Sequence, residues 1–310
     1  MKDLSRRSFI HAAGAAVAIP ALTARQAVAQ PPAPDIGDLR AERDIVFGRG
    51  GDVDLTLDVY RPPEGVESKR MAIIHLFGGG FFVGSKNAGY IINDAKPLGA
   101  RGYTNISANY RLQSQNLWPA QIHDTKAAIR WTRANADRLG IEPDRIAIAG
   151  YSAGGMLALM AAGTNGMEEF EGEGGNAGVS SDVQACIGVY PLASAQTARG
   201  LFPESLSDAQ RAQAMEAASP TNYISENFAP TIFIHGTADN TVPMSSSISF
   251  FNQLHDLGVP TAMTVMQGAD HAFDNSALDA VDVMANSIDL FLDRLFVGKE
   301  AYRGFGAGRG

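Results

Sequence analysis

Gly150-Tyr151-Ser152-Ala153-Gly154 has the residue types and the spacing of a catalytic serine on a sharp turn. The segment follows the apolar run RIAIA and precedes MLALMAAG, which has the composition of a helix. In such a strand–turn–helix the glycines let strand and helix pack closely, and the helix dipole favours negative charge at the serine. The sequence therefore predicts Ser152 as a nucleophile. The alternative is a glycine-rich turn that contains an incidental serine.

A serine hydroxyl needs a general base, and three histidines follow Ser152 along the chain. His271 lies in the loop GADHAF after the apolar run TAMTVMQ, where a catalytic histidine is expected. His235 ends the strand-like run TIFIHG and is expected to pack near the rim of a sheet. His255 lies inside a helical stretch and is expected to be exposed. We therefore predict His271 as the base.

Asp239 is the predicted acid, because it lies in HGTADNTVP, just past a strand and before a helix. There it would accept the second N–H of His271, hold the tautomer and stabilise the imidazolium. Asp270 and Asp274 are less favoured, because side chains close together in sequence usually diverge.

The stretch HLFGGGFFVGSK places three glycines directly after an apolar run. A phosphate-binding loop would need Gly-Lys-Ser/Thr, and here Lys86 comes one place late. Bare N–H groups on a loop after a strand also bind a developing oxyanion. We predict that Gly79, Gly80 and Ala153 supply these donors. Aromatic residues near this site are expected either to line a pocket or to belong to the core, and they are Phe81, Phe82, Tyr90, Trp118 and Tyr151.

Apolar runs alternate with helical stretches and predict an α/β fold, with a mostly parallel central sheet and helices on both faces. The predicted strands are DVDLTLDVY, MAIIHLF, YTNISANY, RIAIAG, QACIGVY, TIFIHG and TAMTVMQ. The predicted helices cover 120–138, 153–162, 245–257 and 278–296. The stretch 193–229 interrupts the alternation, with a short helix near 208–217, and is expected to form a small cap.

The two ends of the chain differ from its middle. Ser5-Arg6-Arg7-Ser8-Phe9-Ile10 resembles a twin-arginine export signal, and small residues precede a cleavage point before Gln30. We expect a signal peptide at 1–29, a linker at 30–43, an α/β domain at 44–297 and a flexible tail at 298–310. The mature chain is then exported, to the periplasm or beyond, and no remaining stretch is long and apolar enough to span a membrane.

Composition excludes several classes of protein. The chain has 310 residues, is 45% hydrophobic and carries a formal charge of −8. It is long enough for one large core, and it has no Lys/Arg cluster of the kind that binds nucleic acid. No metal-spaced His/Cys cluster is present, so neither a metal nor another cofactor is predicted. The single cysteine, Cys186, lies in an apolar run and is expected to be buried.

Taken together, the chain resembles the α/β-hydrolase superfamily, and within it the acetyl-esterase and hormone-sensitive-lipase-like branch that includes bacterial feruloyl and acetylxylan esterases. The matching segments are FGGGFFVGS, SANYRL, WPAQIHDTKAAIRWTRANADRLGIEPDRIAIAGYSAGG, HGTADNTVP and GADHAF. The resemblance implies a serine ester hydrolase that acts through an acyl-enzyme on short-acyl or aryl esters, including esters derived from plant polysaccharides. Phe77 stands where that family usually has the histidine of His-Gly-Gly-Gly. Asp124 matches a family aspartate and is expected to be structural, as a charge near a helix N-terminus.

Two alternatives stay open at this point. An amide hydrolase of the formamidase or peptidase type would use the same three residues, because the choice between ester and amide depends on the pocket. A non-catalytic binding protein could share the fold. The partner would be a small-molecule or oligosaccharide ester in the first reading, and the oligomeric state is not indicated by the sequence.

Overall fold

The computed structural model describes residues 36–198 and 201–298. Its centre is one eight-stranded sheet with the strand order β1-β2-β4-β3-β5-β6-β7-β8. The strands are β1 (Arg40–Gly50), β2 (Val53–Arg61), β3 (Ala72–Leu76), β4 (Thr104–Ala108), β5 (Ile146–Tyr151), β6 (Ala185–Val189), β7 (Thr231–Gly236) and β8 (Thr261–Met266). β2 pairs antiparallel with β1 and with β4, and all the other pairs are parallel.

Helices connect the parallel strands. They are α1 (Gly89–Ala100), α2 (Ala120–Ala134), α3 (Ala136–Leu139), α4 (Ala153–Gly163), α5 (Asp208–Ala217), α6 (Met244–Asp256) and α7 (Leu278–Phe296). Single 3₁₀ turns lie at Glu168–Phe170, Ala195–Thr197, Pro220–Tyr223 and Phe273–Asn275.

Both faces of the sheet are covered, as the burial of every residue in five strands shows. These strands are β3, β4, β5, β6 and β7. Side chains of a strand alternate between the two faces, so complete burial needs packing on each side. α1 packs against α7, and α2 packs against α4. All eleven residues of α4 are buried, which explains its apolar composition. The mostly parallel α/β fold predicted from the sequence is therefore confirmed.

All seven predicted strands and all four long predicted helices are present, and most of their ends differ from the prediction by no more than two residues. The predicted helix 120–138 is divided into α2 and α3. Two elements were not predicted. β1 is rich in charged residues and has two register irregularities, as expected of an edge strand, so it lacks the apolar signal. α1 contains Pro97, which disfavours a helix, but its buried Ile91, Ile92, Ala95 and Leu98 hold it against the sheet. β1 begins at Arg40, inside the segment predicted as linker.

Other predictions fall partly outside the described residues. The predicted signal peptide at 1–29 lies entirely outside them, and so do residues 299–310 of the predicted tail. Cys186 is fully buried in β6, as expected. In the part of the chain that is described, no helix is both long enough and apolar enough to cross a membrane.

Candidate active site

Ser152 lies on a strained turn between β5 and α4. Its backbone has φ +52° and ψ −115°, a conformation that costs a non-glycine residue roughly 1–3 kcal/mol. The glycines on either side make the turn sterically possible. A Cβ on Gly150 would lie 2.1 Å from the carbonyl oxygen of Gly154, and a Cβ on Gly154 would lie 2.2 Å from that of Leu76. Strand, turn and helix therefore approach closely and hold the serine at the carboxyl end of the sheet.

The structure brings together the three residues predicted as nucleophile, base and acid. Oγ of Ser152 is 2.9 Å from Nε2 of His271, and Nδ1 of His271 is 2.8 Å from Oδ2 of Asp239. His271 lies after β8 and Asp239 lies after β7, both beyond carboxyl ends of parallel strands. A ring with Nδ1–H directed at a carboxylate leaves Nε2 free to accept a proton from the serine hydroxyl.

Asp239 is buried and well supplied with hydrogen-bond donors. Its Oδ1 accepts the backbone N–H groups of Thr241 at 2.9 Å and Val242 at 2.8 Å, and its Oδ2 faces His271. Burial acts to raise the pKa of Asp239, but the hydrogen bonds from His271 and the two N–H groups outweigh it. The pKa is lowered in consequence, and the carboxylate is charged at neutral pH. A second ring, His235, also contacts Oδ2, at 3.1 Å, and the sequence analysis gave it no role in the site.

Backbone N–H groups surround the serine on the side of the glycine loop. Gly79 and Gly80 have φ +119° and +62°, so these positions favour glycine. The N–H of Gly78 donates to Oη of Tyr90 at 2.7 Å and is therefore occupied. Within the described residues, the N–H groups of Gly79, Gly80 and Ala153 have no hydrogen-bond acceptor in the protein. The three donors predicted from the sequence are thus free to bind an oxygen of a substrate.

Phe77 supports this loop in place of a histidine. Its ring is buried and stacks on Tyr110, with ring centres 4.2 Å apart and planes 6° apart. The hydroxyl of Tyr110 donates to the carbonyl oxygen of Phe77 at 2.8 Å. Ring stacking and one hydrogen bond therefore fix the start of the glycine loop.

A cavity of about 390 Å³ opens at Ser152 and His271. Glycines 78–80 and the rings of Tyr90, Tyr151 and Tyr190 line it. Tyr190 also packs on His271, with ring centres 4.7 Å apart. Tyr190 is the last residue of the predicted strand QACIGVY, but in the structure β6 ends at Val189, so Tyr190 lies just beyond the carboxyl end of the strand.

Of the aromatic residues predicted to line the pocket, Tyr151 does so, as does Tyr90, but three others do not. Phe81 is fully buried and packs edge-on against Tyr110, so it belongs to the core. Phe82 is 47% exposed and is not part of the lining. Trp118 is half-buried against the core, and its backbone N–H donates to the carbonyl oxygen of Leu201.

A chain of buried polar groups runs beneath the cavity from Tyr151. Oη of Tyr151 is 2.7 Å from Oδ2 of Asp94 and 3.1 Å from Nδ1 of His75. Nε2 of His75 is 2.9 Å from Oδ1 of Asn105, whose amide nitrogen donates to two carbonyl oxygens. The amide orientation is thereby fixed, and His75 must carry its proton on Nε2. Burial lowers the pKa of His75 to about 4, so the ring is neutral and a bare Nδ1 faces Oη of Tyr151.

In the shorter of these two contacts the hydroxyl of Tyr151 donates to Oδ2 of Asp94. Oδ1 of Asp94 has no hydrogen-bond partner in the described part of the chain. Burial, with the nearby charge of Asp274, raises the pKa of Asp94 well above its usual range. Burial likewise raises the pKa of Asp274, which accepts the hydroxyl of Tyr190, to about 6. Neither Asp274 nor Asp270 bonds to the ring of His271 in the structure.

Asp124 has a structural role, as the sequence analysis expects. Asp124 is buried and forms paired hydrogen bonds with the guanidinium of Arg111, which accounts for it better than a charge at the start of a helix.

A larger cavity of about 480 Å³ lies along the loop 166–182 and includes none of the residues around Ser152. Among the described residues, no group of three His, Cys, Asp or Glu side chains could hold a metal ion.

The family model BD-FAE matches residues 57–254, which include the glycine loop, Ser152 and Asp239. The chain belongs to the BD-FAE family. Esterase LipQ of Mycobacterium tuberculosis is 31% identical over 269 residues, covering 82% of this chain and 62% of LipQ. The chain thus spans less than two thirds of that relative.

Solved structures of esterases share the fold of this BD-FAE member. A carbohydrate esterase from gut microbiota is 25% identical with a TM-score of 0.73, covering 84% of this chain and 99% of its own. The thermophilic esterase Est2 of Thermogutta terrifontis is 29% identical with a TM-score of 0.69, covering 88% and 97%. Structures of Est2 with propionate or butyrate bound have TM-scores of 0.68 and 28% identity, and each covers 87% of this chain and 98% of Est2.

Proposed function

We propose that this protein is a serine carboxylic-ester hydrolase. The observation that carries the proposal is the hydrogen-bonded triad of Ser152, His271 and Asp239, which lies at a cavity beside three unoccupied N–H donors. The triad activates the serine hydroxyl, and the donors bind the negative charge that forms when the hydroxyl attacks a carbonyl carbon. Membership of the BD-FAE family and the esterases among its relatives support the same activity.

The reaction has two halves. In the first, Oγ of Ser152 bonds to the ester carbonyl carbon while its proton passes to Nε2 of His271. The oxyanion lies against the N–H groups of Gly79, Gly80 and Ala153. The C–O bond then breaks, the alcohol takes the proton from His271, and an acyl-serine remains. In the second half, water gives a proton to Nε2 of His271 while its oxygen bonds to the acyl carbon. The bond from that carbon to Oγ of Ser152 then breaks, Oγ takes the proton back from His271, and the carboxylic acid leaves.

The cavity favours a short acyl group. All three tyrosine hydroxyls have partners in the protein: the N–H of Gly78 for Tyr90, Asp94 and His75 for Tyr151, and Asp274 for Tyr190. The rings therefore present apolar surface to the ligand, and they limit the depth of a cavity of only about 390 Å³. The propionate and butyrate found in Est2 are consistent with an acyl site of this size in a related protein.

The experiment is hydrolysis of 4-nitrophenyl esters from acetate to octanoate by the wild-type chain and by Ser152→Ala. We expect the rate to be highest between acetate and butyrate, and the variant to lose about 10⁵–10⁶-fold in kcat. Ser245→Ala, at an exposed position on α6, is the matched control and should keep wild-type activity. Equal activity of Ser152→Ala and wild type would refute the proposal.

Preference for esters over amides is part of the same proposal, supported by relatives that are named esterases. Matched 4-nitrophenyl acetate and 4-nitroacetanilide should show a much higher kcat/KM for the ester. A higher value for the anilide would favour an amide hydrolase. A fluorophosphonate should label Ser152 in the wild-type chain, which would exclude a non-catalytic binding protein. If the wild-type chain is not labelled, the result would favour a binding protein.

The alcohol part of the ester and the location of the protein complete the proposal. Similarity to a carbohydrate esterase supports acylated oligosaccharides as substrates, and release of acetate or ferulate from such oligosaccharides is the assay. The Arg6-Arg7 pair supports export, with the mature chain beginning at Gln30. N-terminal sequencing of the periplasmic fraction tests this, and replacement of both arginines by lysine should keep the chain in the cytoplasm.

A further inference from the structure

His235 is a fully buried histidine at the end of β7 that contacts three groups. Its Nε2 is 2.8 Å from the carbonyl oxygen of Val242 and 3.1 Å from Oδ2 of Asp239. Its Nδ1 is 2.9 Å from Oγ of Ser247 on α6. The ring therefore joins the end of a strand, the turn that carries Asp239 and the first turns of the next helix.

The partners of His235 fix its tautomer. A backbone carbonyl oxygen can only accept, so Nε2 must carry a proton to bond Val242. The hydroxyl of Ser247 can donate to Nδ1, and it does so when Nδ1 is bare. Burial lowers the pKa of His235, so the ring holds one proton and no charge at neutral pH.

The Nε2–H of His235 consequently points at both Val242 and Asp239. Oδ2 of Asp239 receives two ring N–H groups, one from His235 and one from His271, while Oδ1 receives two backbone N–H groups. With donors on every side, the carboxylate cannot rotate about its Cβ–Cγ bond without losing hydrogen bonds. The donor from His235 is uncharged, so the negative charge of Asp239 remains available to the imidazolium of His271.

We propose that His235 is a positioning residue for ester hydrolysis, which holds Oδ2 of Asp239 in line with Nδ1 of His271 through its neutral Nε2–H. The inference rests on the proposed function, because it concerns the same site. It adds a fourth side chain that acts through Asp239 without touching the substrate.

The tautomer is measured first, in the wild-type chain with ¹⁵N-labelled histidine. We expect nuclear magnetic resonance to show the His235 ring protonated on Nε2 and bare on Nδ1 at neutral pH. The signal is assigned by its loss in His235→Gln. A proton on Nδ1 alone would overturn the proposal, because Nε2 could then donate to neither Val242 nor Asp239.

Kinetics of two variants test the positioning role. His235→Leu removes the donor and should lower kcat about 10–100-fold with KM within about twofold, the cost of a base held about 1 Å out of line. His235→Gln carries an amide N–H at a similar distance from the backbone and should recover kcat to within about fivefold of wild type. The control His255→Leu makes the same change at an exposed histidine on α6 and should leave kcat and KM unchanged.

Each outcome bears on the proposal separately from the proposed function. The positioning role is overturned if a folded His235→Leu variant keeps the wild-type kcat. It is also overturned if His235→Leu and His235→Gln lose kcat equally, since the ring would then act by packing alone. If His235→Leu does not fold, the Gln variant and the tautomer decide, because loss of kcat in a folded Gln variant would also overturn it. Ester hydrolysis by wild type and its loss in Ser152→Ala establish the proposed function whichever way His235 behaves.

Discussion

Asp239 and Asp94 have buried side chains, one bonded to His271 and the other to Tyr151, and they differ in the donors around them. Four N–H groups point at the carboxylate of Asp239, and its pKa is lowered in spite of burial. Oδ1 of Asp94 has no partner, Oδ2 accepts one hydroxyl from Tyr151, and burial raises the pKa of Asp94. Burial opposes charge in both, so the four donors favour the ionised form of Asp239 and the single donor leaves the neutral form favoured at Asp94.

The difference suits the reaction. Charge on Asp239 stabilises the imidazolium that forms when His271 takes the serine proton. A second charge at Asp94, beneath the cavity floor at Tyr151, would repel the oxyanion that forms nearby. The raised pKa of Asp94 disfavours that charge. Three substitutions test this comparison, and they are given in order of expected effect.

The largest effect is expected for Asp239→Asn. An amide in this position cannot hold His271 with a proton on Nδ1 as a carboxylate does, so kcat should fall by about 10⁴-fold. Asp94→Asn should change kcat less than about threefold, since the amide oxygen can accept the same hydroxyl of Tyr151. Steady-state hydrolysis of 4-nitrophenyl acetate measures both. Comparable losses in the two variants would contradict the division into a charged and a neutral aspartate.

A smaller effect, on stability and not on turnover, is expected for Tyr151→Phe. The change leaves His75 and Asp94 without their shared partner and should lower the free energy of unfolding by about 2–4 kcal/mol. Urea unfolding measures this loss. Tyr223→Phe, whose hydroxyl donates to a carbonyl oxygen at an exposed site, is the control and should lose far less. If turnover were lost while stability was kept, the hydroxyl would have a direct catalytic role instead.

The smallest effect is the dependence of Asp94→Asn stability on pH. A carboxyl whose pKa is raised in the folded protein stabilises it fully below the unfolded pKa, and this contribution is lost as pH rises toward the folded pKa. Asparagine does not titrate. The variant should therefore gain on wild type by up to about 1.4 kcal/mol for each pH unit above about 4.

Urea unfolding at several pH values between 5 and 8 checks this slope. Asp256→Asn makes the same change at an exposed position and is the control. A difference between Asp94→Asn and wild type that is flat with pH would mean that Asp94 is already ionised in the folded chain.

Much of the fold could be predicted, because buried parallel strands are short, continuous apolar runs that few other structures produce. β1 and α1 were missed because their stability comes from tertiary contacts: β1 pairs with β2 despite its charges, and α1 packs on α7 despite Pro97. In the site, Ser152, Asp239 and His271 follow strand ends that can be seen in the sequence. For Phe81 and Trp118 the sequence left pocket and core both open, because nearness in sequence does not determine the direction of a side chain.

The sequence alone determined the order in which the functional segments follow the strands. A glycine loop follows one strand, a serine between glycines follows another, and an acid and a histidine follow two more. These features are local, since each needs only a residue type at a strand end. The tertiary structure decided three things: that burial raises the pKa of Asp94, that His235 reaches Asp239, and that Phe77 stacks on Tyr110 where a histidine was expected. Those outcomes depend on donors brought from distant segments, and hydrogen-bond direction is set only when the chain has folded.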